Sequence, residues 1–541
     1  MAYQNVSGAL FKRMVANGAI NLKNNYQKVD ELNVFPVPDG DTGTNMSMTI
    51  MSGINEIEGY ESSSLSDISK VLSRGFLMGA RGNSGVILSQ YFRGLSLGMK
   101  NISGSSATIE EFVDTLISGN KIAYQAVMTP IEGTILTVMR ESGEYIDLHR
   151  KEFKTIDQVL KAYYEKAQES LANTPNILQV LKDAHVVDSG GAGFVYIVEG
   201  MYLASIDKML EMNDNENEAE KEIIEETQVD DSRFTYELSF DIMLKDASKF
   251  SVADLRSPLS IIGDSLAVNL DKDIVHVSLR TNNPGRALSM GQRHGEFKTV
   301  SLLNKKLPVE EKKEEPVADS EAEKYAIIAV CFGDGIKDSF IKLGAKYIID
   351  GGQTMNPSTE AFVKAVQNIN AQNIIIIPNN SNIIMSASQT KELCPDKNIE
   401  VLKTKNLVHG FVALASFDEE EDLETNIEAM NGAIQNCHSI EVTYAVRDTE
   451  INGVKIEKDD QMAILDDQIV ASTKDRFKSI KKALTRCVND DTLVITIFKG
   501  KDALDEEIEK MEEYVGIINP DCDFEIIEGG QDIYSYIISV E

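Results

Sequence analysis

Positive charge is in short supply in this 541-residue sequence. Lys and Arg number 53 against 86 Asp and Glu, a formal net charge of −33 at pH 7. That balance argues against nucleic acid as a partner, because phosphates are repelled rather than gathered. Any bound polyphosphate must then be neutralised locally, as a divalent metal does. The same charge suits a partner with a basic face, or simply keeps the surface solvated. Cysteine is scarce too: five residues, at 331, 394, 437, 487 and 522, far apart and all in the C-terminal part. An odd count without close pairs excludes a disulfide framework and reads as reduced thiols in a cytosolic protein. Long apolar runs are missing, and stretches such as 374–377 are far too short to span a bilayer. The first seven residues do not read as a signal peptide. These absences predict a cytoplasmic chain without a transmembrane segment. No Gly-Lys-Ser/Thr phosphate loop occurs, and no Ser-His-Asp or Cys-His arrangement stands out.

What is present centres on residues 33–46, which contain Pro36-Val37-Pro38-Asp39-Gly40-Asp41-Thr42-Gly43-Thr44-Asn45. Two carboxylates stand two residues apart around a glycine, whose missing Cβ lets the backbone fold tightly and turn both acids toward one point. Convergent hard oxygens suit Mg²⁺, which takes one or two protein carboxylates and leaves its other positions to water and phosphate. The following residues offer helix-capping side chains and free amides, and a helix start binds phosphate without a lysine. A solvated turn is the bland reading of the same composition. A calcium loop fits less well, since the twelfth position from Asp39 is Ile50 where glutamate is required. A hairpin lacks flanking alternation.

A second stretch places Gly79, Gly82 and Gly85 around Arg81, Asn83 and Ser84 and then runs into an apolar helical pattern. A third, His185-Val186-Val187-Asp188-Ser189-Gly190-Gly191, has the same character: a carboxylate, small residues, then a helix. Each alone reads equally as a glycine-rich helix connection.

In this order and spacing, the three stretches resemble the ATP-binding L subunit of dihydroxyacetone kinase. The fuller resemblance is to the catalytic subunit of bacterial fatty acid kinase, and it extends to the C-terminal Gly529-Gly530-Gln531-Asp532 stretch. The resemblance implies an antiparallel helical barrel that binds ATP and Mg²⁺ at its rim. It implies Asp39 and Asp41 as metal ligands, with the third ligand place falling on Asn33 and Asp30 as its rival. Thr42, Gly43, Thr44 and Asn45, with Gly82, Asn83, Ser84 and Gly85, would hold phosphates. Thr134, Asp188 and Gly190 would line the nucleotide pocket. Arg81 would add positive charge near the phosphates, while His185 reads as structural. The resemblance also implies a separate DegV-type protein that carries the fatty acid and presents its head group.

The chain divides into five expected parts. Residues 1–205 show helical periodicity (Leu10, Phe11, Met14, Val15, Ala19) without a convincing alternating strand, predicting an all-α ATP- and Mg-binding domain. Thr108 with Glu111, and Thr155 with Gln158, predict capping boxes. Residues 206–231 form an acidic linker. Residues 232–306 alternate over 234–242 and 274–279, with helices expected over 251–259 and 285–294, giving a small α+β domain. The resemblance implies a metal in that domain of some relatives, but the corresponding places here carry Glu237, Ser278 and Arg280, so no zinc site is expected. Residues 307–323 are a second charged linker. Residues 324–541 alternate short strands with helices, predicting an α/β domain with a largely parallel sheet. Its loops 351–358 and 378–382 follow strand ends, where such folds place ligands. Few titratable groups converge there, so an inherited scaffold used for homodimerisation or carrier docking is the favoured expectation.

The functional expectation is phosphoryl transfer from ATP to a fatty acid carboxylate, giving an acyl phosphate. The alternatives are a kinase for a small polyol and a non-catalytic nucleotide-binding regulator.

Overall fold

The computed structural model describes residues 3–33, 40–60, 62–100, 102, 105–213, 235–244, 250, 255, 256, 259, 263–271, 274–304, 322–351, 356–451 and 453–541. Asp39, most of both expected linkers and most of the helix expected over 251–259 lie outside the described residues. The chain forms two compact units. One joins residues 1–212 to 322–541, and the other comprises 213–321.

The N-terminal part of the first unit is built from α1 (Gly8–Lys23), α2 (Tyr26–Asp30), α3 (Thr42–Ile57), α4 (Leu65–Met78), α5 (Gly82–Met99), α6 (Ile109–Gln125), α7 (Ile135–Leu148), α8 (Ile156–Ile177), α9 (Gln179–Asp183) and α10 (Ser189–Ser205). Two-residue strands β1 (Val6–Ser7) and β2 (Ser106–Ala107), not expected from the sequence, pair antiparallel beside them. In α1 the apolar stripe Leu10, Phe11, Met14, Val15, Ala19 and Leu22 is wholly buried, as 3.6-residue periodicity requires of a core-facing helix. Ser7 accepts from the Leu10 N–H at 3.2 Å and caps it. Helix α10 is apolar on all sides and buried along most of its length. It approaches α1 closely because a Cβ at Gly200 would lie 2.5 Å from the Asn17 carbonyl, and one at Gly18 2.7 Å from that of Ile197. The capping box at Thr108 and Glu111 forms. The one expected at Thr155 does not. Gln158 instead accepts from the Lys154 N–H at 2.7 Å, one residue outside the cap.

The second unit contains an antiparallel sheet ordered β4-β5-β3-β6 from β3 (Tyr236–Leu244), β4 (Gly263–Asp271), β5 (Ile274–Thr281) and β6 (Gly295–Asn304), with helix α11 (Pro284–Gly291). Val275, Val277 and Leu279 alternate inward on β5 and meet Leu238, Phe240 and Ile242 of β3. Strands β4 and β6 escaped the sequence reading.

The C-terminal part of the first unit holds two sheets rather than one. Strands β7 (Glu323–Cys331), β8 (Tyr347–Asp350), β9 (Ala371–Ile377) and β10 (Ile399–Val401) make a four-stranded sheet, ordered β10-β9-β7-β8 and parallel throughout. The unbroken apolar run of β7 is buried on both faces, as a central parallel strand requires. Helices α12 (Asp334–Lys342), α13 (Thr359–Gln367), α14 (Ile384–Leu393), α15 (Leu407–Ala415) and α16 (Leu423–Asn436) accompany it. The other sheet contains β11 (His438–Tyr444), β14 (Gln461–Leu465), β15 (Gln468–Thr473), β16 (Val494–Lys499), β17 (Asp523–Glu528) and β18 (Tyr536–Val540), in the order β15-β14-β11-β18-β16-β17. It is antiparallel except between β16 and β17, which corrects the expectation of a largely parallel sheet. A small hairpin, β12 (Thr449–Ile451) and β13 (Val454–Ile456), and helices α17 (Arg476–Cys487) and α18 (Asp505–Ile518) complete it.

The parallel-sheet layer seats on α4 and α5. The Thr359 N–H at the start of α13 donates to the Ala80 carbonyl at 3.1 Å. Arg93 pairs with Glu392 at 2.9 Å. Met78 packs into the core around β7 and β9, and Met385 packs against the helical core. The loops after β8 and β9 are thereby carried to the start of α3 and α5.

Candidate functional site

Helix α3 begins where α2 ends, and one carboxylate joins them. Asp30 Oδ1 accepts from the backbone N–H of Gly43 at 2.6 Å and of Thr44 at 3.1 Å, while its Oδ2 accepts from the Thr44 hydroxyl at 2.8 Å. These are the first-turn donors that a helix leaves unpaired. Burial raises the Asp30 pKa against the opposing pull of those bonds. The amides of Gly43 and Thr44, expected to face phosphate, are therefore turned to Asp30. Asp30 acts as a cap for α3.

Asp41 occupies the N-cap position of α3, but its side chain makes no capping bond. Its Oδ2 instead accepts from the side-chain amide of Asn356 at 2.5 Å, across 315 residues. Helix α5 starts at Gly82, which has φ +60 and stands against Asn45. Just before it, the Arg81 N–H donates to Thr49 Oγ1 at 3.2 Å and the Arg81 guanidinium to the Asn356 carbonyl at 2.7 Å. Desolvation lowers the Arg81 pKa, with Glu360 opposing it. Asn83 donates to Asn382 Oδ1 at 3.2 Å.

Between these elements lies a polar cavity of about 220 Å³ lined by Asn33, Asp41, Thr42, Asn45, Asn83, Ser84 and Asn382. It opens at the first turns of α3 and α5, whose positive dipole ends favour anions. A third helix start lies beside it: Ser189 Oγ at the head of α10 donates to Thr42 Oγ1 at 3.3 Å. Asp188 caps α10 by accepting from the Gly191 N–H at 2.7 Å. Its carboxyl is enclosed by neighbouring atoms, although part of the residue stays exposed, and desolvation pushes its pKa up to about 6.

Of the residues expected at the site, Asn33, Asp41, Thr42, Asn45, Asn83 and Ser84 thus converge on one cavity. Arg81 does not line it and reaches Asp41 through Asn356. Gly82 and Gly85 serve close packing, since a Cβ at Gly85 would collide with Thr49 Oγ1. Thr134 stands at the N-cap position of α7 and donates to the Ile131 carbonyl at 2.7 Å, while Gly190 packs against Ile135. His185 is an exposed turn residue with φ +54. Asn356 and Asn382, which sequence reasoning missed, come from the very loops that were expected to serve docking. Their position after strands of a parallel sheet was the available signal.

The donors fit a hard cation. The cavity that Asp41 lines carries amides and hydroxyls, and two buried carbonyl oxygens, Asn83 Oδ1 on a lining residue and Asn356 Oδ1 on the residue bonded to Asp41, have no hydrogen-bond partner. Unpaired acceptors near a carboxylate are complementary to Mg²⁺ rather than to a soft metal. Among the described residues, which do not include Asp39, no group of three or more His, Cys, Asp or Glu gathers for a metal. No described helix is long and apolar enough to cross a membrane.

Comparison with known proteins extends this picture. Residues 36–203 match the DAK2 domain, residues 233–311 the middle domain of FakA-like fatty acid kinases, and residues 326–541 their C-terminal domain. The chain belongs to the FakA-like fatty acid kinase family. Relatives of similar length include an uncharacterized protein of Staphylococcus epidermidis, 38% identical over 557 residues and 99% of each chain. One from Staphylococcus haemolyticus is 39% identical over 552 residues, again 99% of each. Among solved structures, the dihydroxyacetone kinase from C. freundii in complex with AMP-PNP and Mg²⁺ matches 37% of this chain at 16% identity and TM-score 0.29, and the match spans 34%, about a third, of that enzyme's own length. A DegV family protein from Corynebacterium glutamicum matches 40% of this chain and 96% of its own at 12% identity and TM-score 0.30. The family membership makes this a kinase-family chain with a DAK2-like helical domain.

Proposed function

We infer that this chain is the ATP- and Mg²⁺-dependent subunit that phosphorylates the carboxylate of a fatty acid held by a separate DegV-type carrier. Residues 1–205 would form the kinase domain and 324–541 the domain that meets the carrier. The observation that carries this reading is the polar cavity at the starts of α3 and α5, in a chain of a fatty acid kinase family.

Asp41, with Asn33 and, by sequence, Asp39, would hold the metal. Bound there, Mg²⁺ would neutralise triphosphate charge and help to polarise the γ-phosphoryl group. Thr42, Asn45, Asn83 and Ser84 offer hydroxyl and amide donors to the phosphate oxygens. The helix ends behind them stabilise negative charge without rearranging. In the transfer, a carboxylate oxygen bonds to the γ-phosphorus as the β,γ-bridging P–O bond breaks, and ADP leaves with that bond's electron pair.

A carboxylate is already ionised near neutral pH and needs no general base. Among its described lining residues the cavity has neither histidine nor lysine. Its described lining is almost wholly polar and offers no apolar surface along which a hydrocarbon chain could lie. An acyl chain has no place in it, which supports delivery by a carrier.

The test is ATP turnover by the purified chain with and without a lipid-loaded DegV-type protein. Turnover is expected only with the carrier. Robust phosphorylation of free fatty acid, or preferred turnover of dihydroxyacetone, would overturn the reading.

A further inference from the structure

We propose that Asn356 is a positioning residue of the metal–nucleotide site, supported by Asn382, so that the C-terminal α/β domain completes a site begun on the N-terminal helices. This rests on the functional reading above and adds to it a part of the chain that no family motif singled out.

Asn356 is held at both ends. Its backbone carbonyl accepts from Arg81 at 2.7 Å and its side-chain Nδ2 donates to Asp41 Oδ2 at 2.5 Å. The amide orientation follows from chemistry, because an ionised carboxylate only accepts, so nitrogen must face Asp41. The residue is 2% exposed, and its Oδ1 is buried without a hydrogen-bond partner. A buried orphan acceptor is unfavourable and calls for an explanation such as an absent ion or water. Here it sits one side-chain length from a carboxylate read as a metal ligand. An outer partner that bonds a ligating carboxylate fixes its orientation and tunes its basicity. Arg81 extends the chain, so that a half-buried guanidinium polarises the Asn356 peptide whose side chain grips Asp41.

Asn382 adds a second contact from the same domain. It lines the cavity, and its Oδ1 accepts from Asn83. That bond uses the Asn83 amide nitrogen and leaves Asn83 Oδ1 as the second orphan acceptor. Both asparagines follow strands of the same parallel sheet, and both are delivered by the seating of α13 and α14 on α4 and α5. The chemistry recognised is a divalent cation on a nucleotide polyphosphate.

The experiment titrates MgCl₂ against a fixed concentration of a fluorescent ATP analogue on the full chain, comparing wild type with Asn356→Ala, Asn382→Ala, Asn356→Asp and Asp41→Asn. The two alanine variants should raise the Mg²⁺ half-saturation about tenfold or more. Their Tm should stay close to wild type, which a merely structural role would not allow. Asn356→Asp, which keeps the shape but sets an acceptor against Asp41 where a donor stood, should not restore the wild-type half-saturation. An unchanged half-saturation in both alanine variants, with Mg²⁺ dependence lost in Asp41→Asn, would overturn the proposal and leave the functional reading standing. Retained Mg²⁺ dependence in Asp41→Asn would instead overturn the metal assignment itself. Should Asn356→Ala fail to fold, the partly exposed Asn382→Ala decides alone, and an unchanged half-saturation there overturns the proposal.

Discussion

Asp30 holds Thr44 by two bonds, accepting from its hydroxyl at 2.8 Å and from its backbone N–H at 3.1 Å. One side chain thereby ties the end of α2 to the start of α3 and sets the angle at which Asp41 and Asn45 meet the cavity. Asp30→Ala removes these bonds and the one to Gly43. It should cost about 2 kcal/mol, the upper range for a lost N-cap. The shift of the urea unfolding midpoint measures it. A midpoint equal to wild type would show that the cap contributes nothing.

Asp41→Asn preserves shape and removes the charge. It should abolish carrier-dependent ATP turnover while far-ultraviolet circular dichroism stays that of the wild type. Wild-type turnover in this variant would contradict the metal role.

Gly82 has φ +60 and would place a Cβ 2.6 Å from Asn45 Nδ2. An alanine there is strained by its backbone, at roughly 1–2 kcal/mol, and pushes a cavity wall aside. Gly82→Ala should lower Tm modestly and weaken nucleotide binding by a larger factor. Calorimetry and nucleotide titration on the same sample separate the two effects, and equal losses in both would point to global damage alone.

Asp188, pushed up to about 6 by desolvation, binds its proton more tightly folded than unfolded. Its stabilising contribution is fully present below the unfolded pKa near 3.9 and is lost as pH rises through about 6. Asp188→Asn keeps an oxygen for the Gly191 N–H and cannot ionise. The variant should therefore lose part of the wild-type decline in Tm between pH 4 and pH 7. Parallel Tm–pH curves for the two proteins would refute the assignment.

The sequence disclosed those features whose causes are local. The stripe of α1 and the capping box at Thr108 were readable because neighbours three and four residues apart determine them. The buried run of β7 was readable for a similar reason. Strand rhythm in the C-terminal domain was visible, but strand direction was not, since parallel and antiparallel ladders use the same apolar residues and differ only in partners. At Thr155 the pattern for a capping box was present, yet Gln158 found Lys154 first. The greater omission lay at the site. Asn356 and Asn382 are ordinary loop asparagines, and what makes them functional candidates is contact across 315 and 299 residues. No periodicity encodes that separation. Asp30 shows the converse: weighed from sequence only as the rival of Asn33 for a metal ligand, it spends its carboxylate on the start of α3.

The seam between α5 and α14 also bears on how the protein is made. Arg81 and Asn356 are 275 residues apart, so at roughly 5–20 residues per second a ribosome takes on the order of 15–55 s to supply the second after the first. Throughout that interval Met78 and the Asp41 carboxylate await their covering layer. The newborn helical half is thus obliged to exist with an open flank, a window in which a chaperone or a sister chain has access to it.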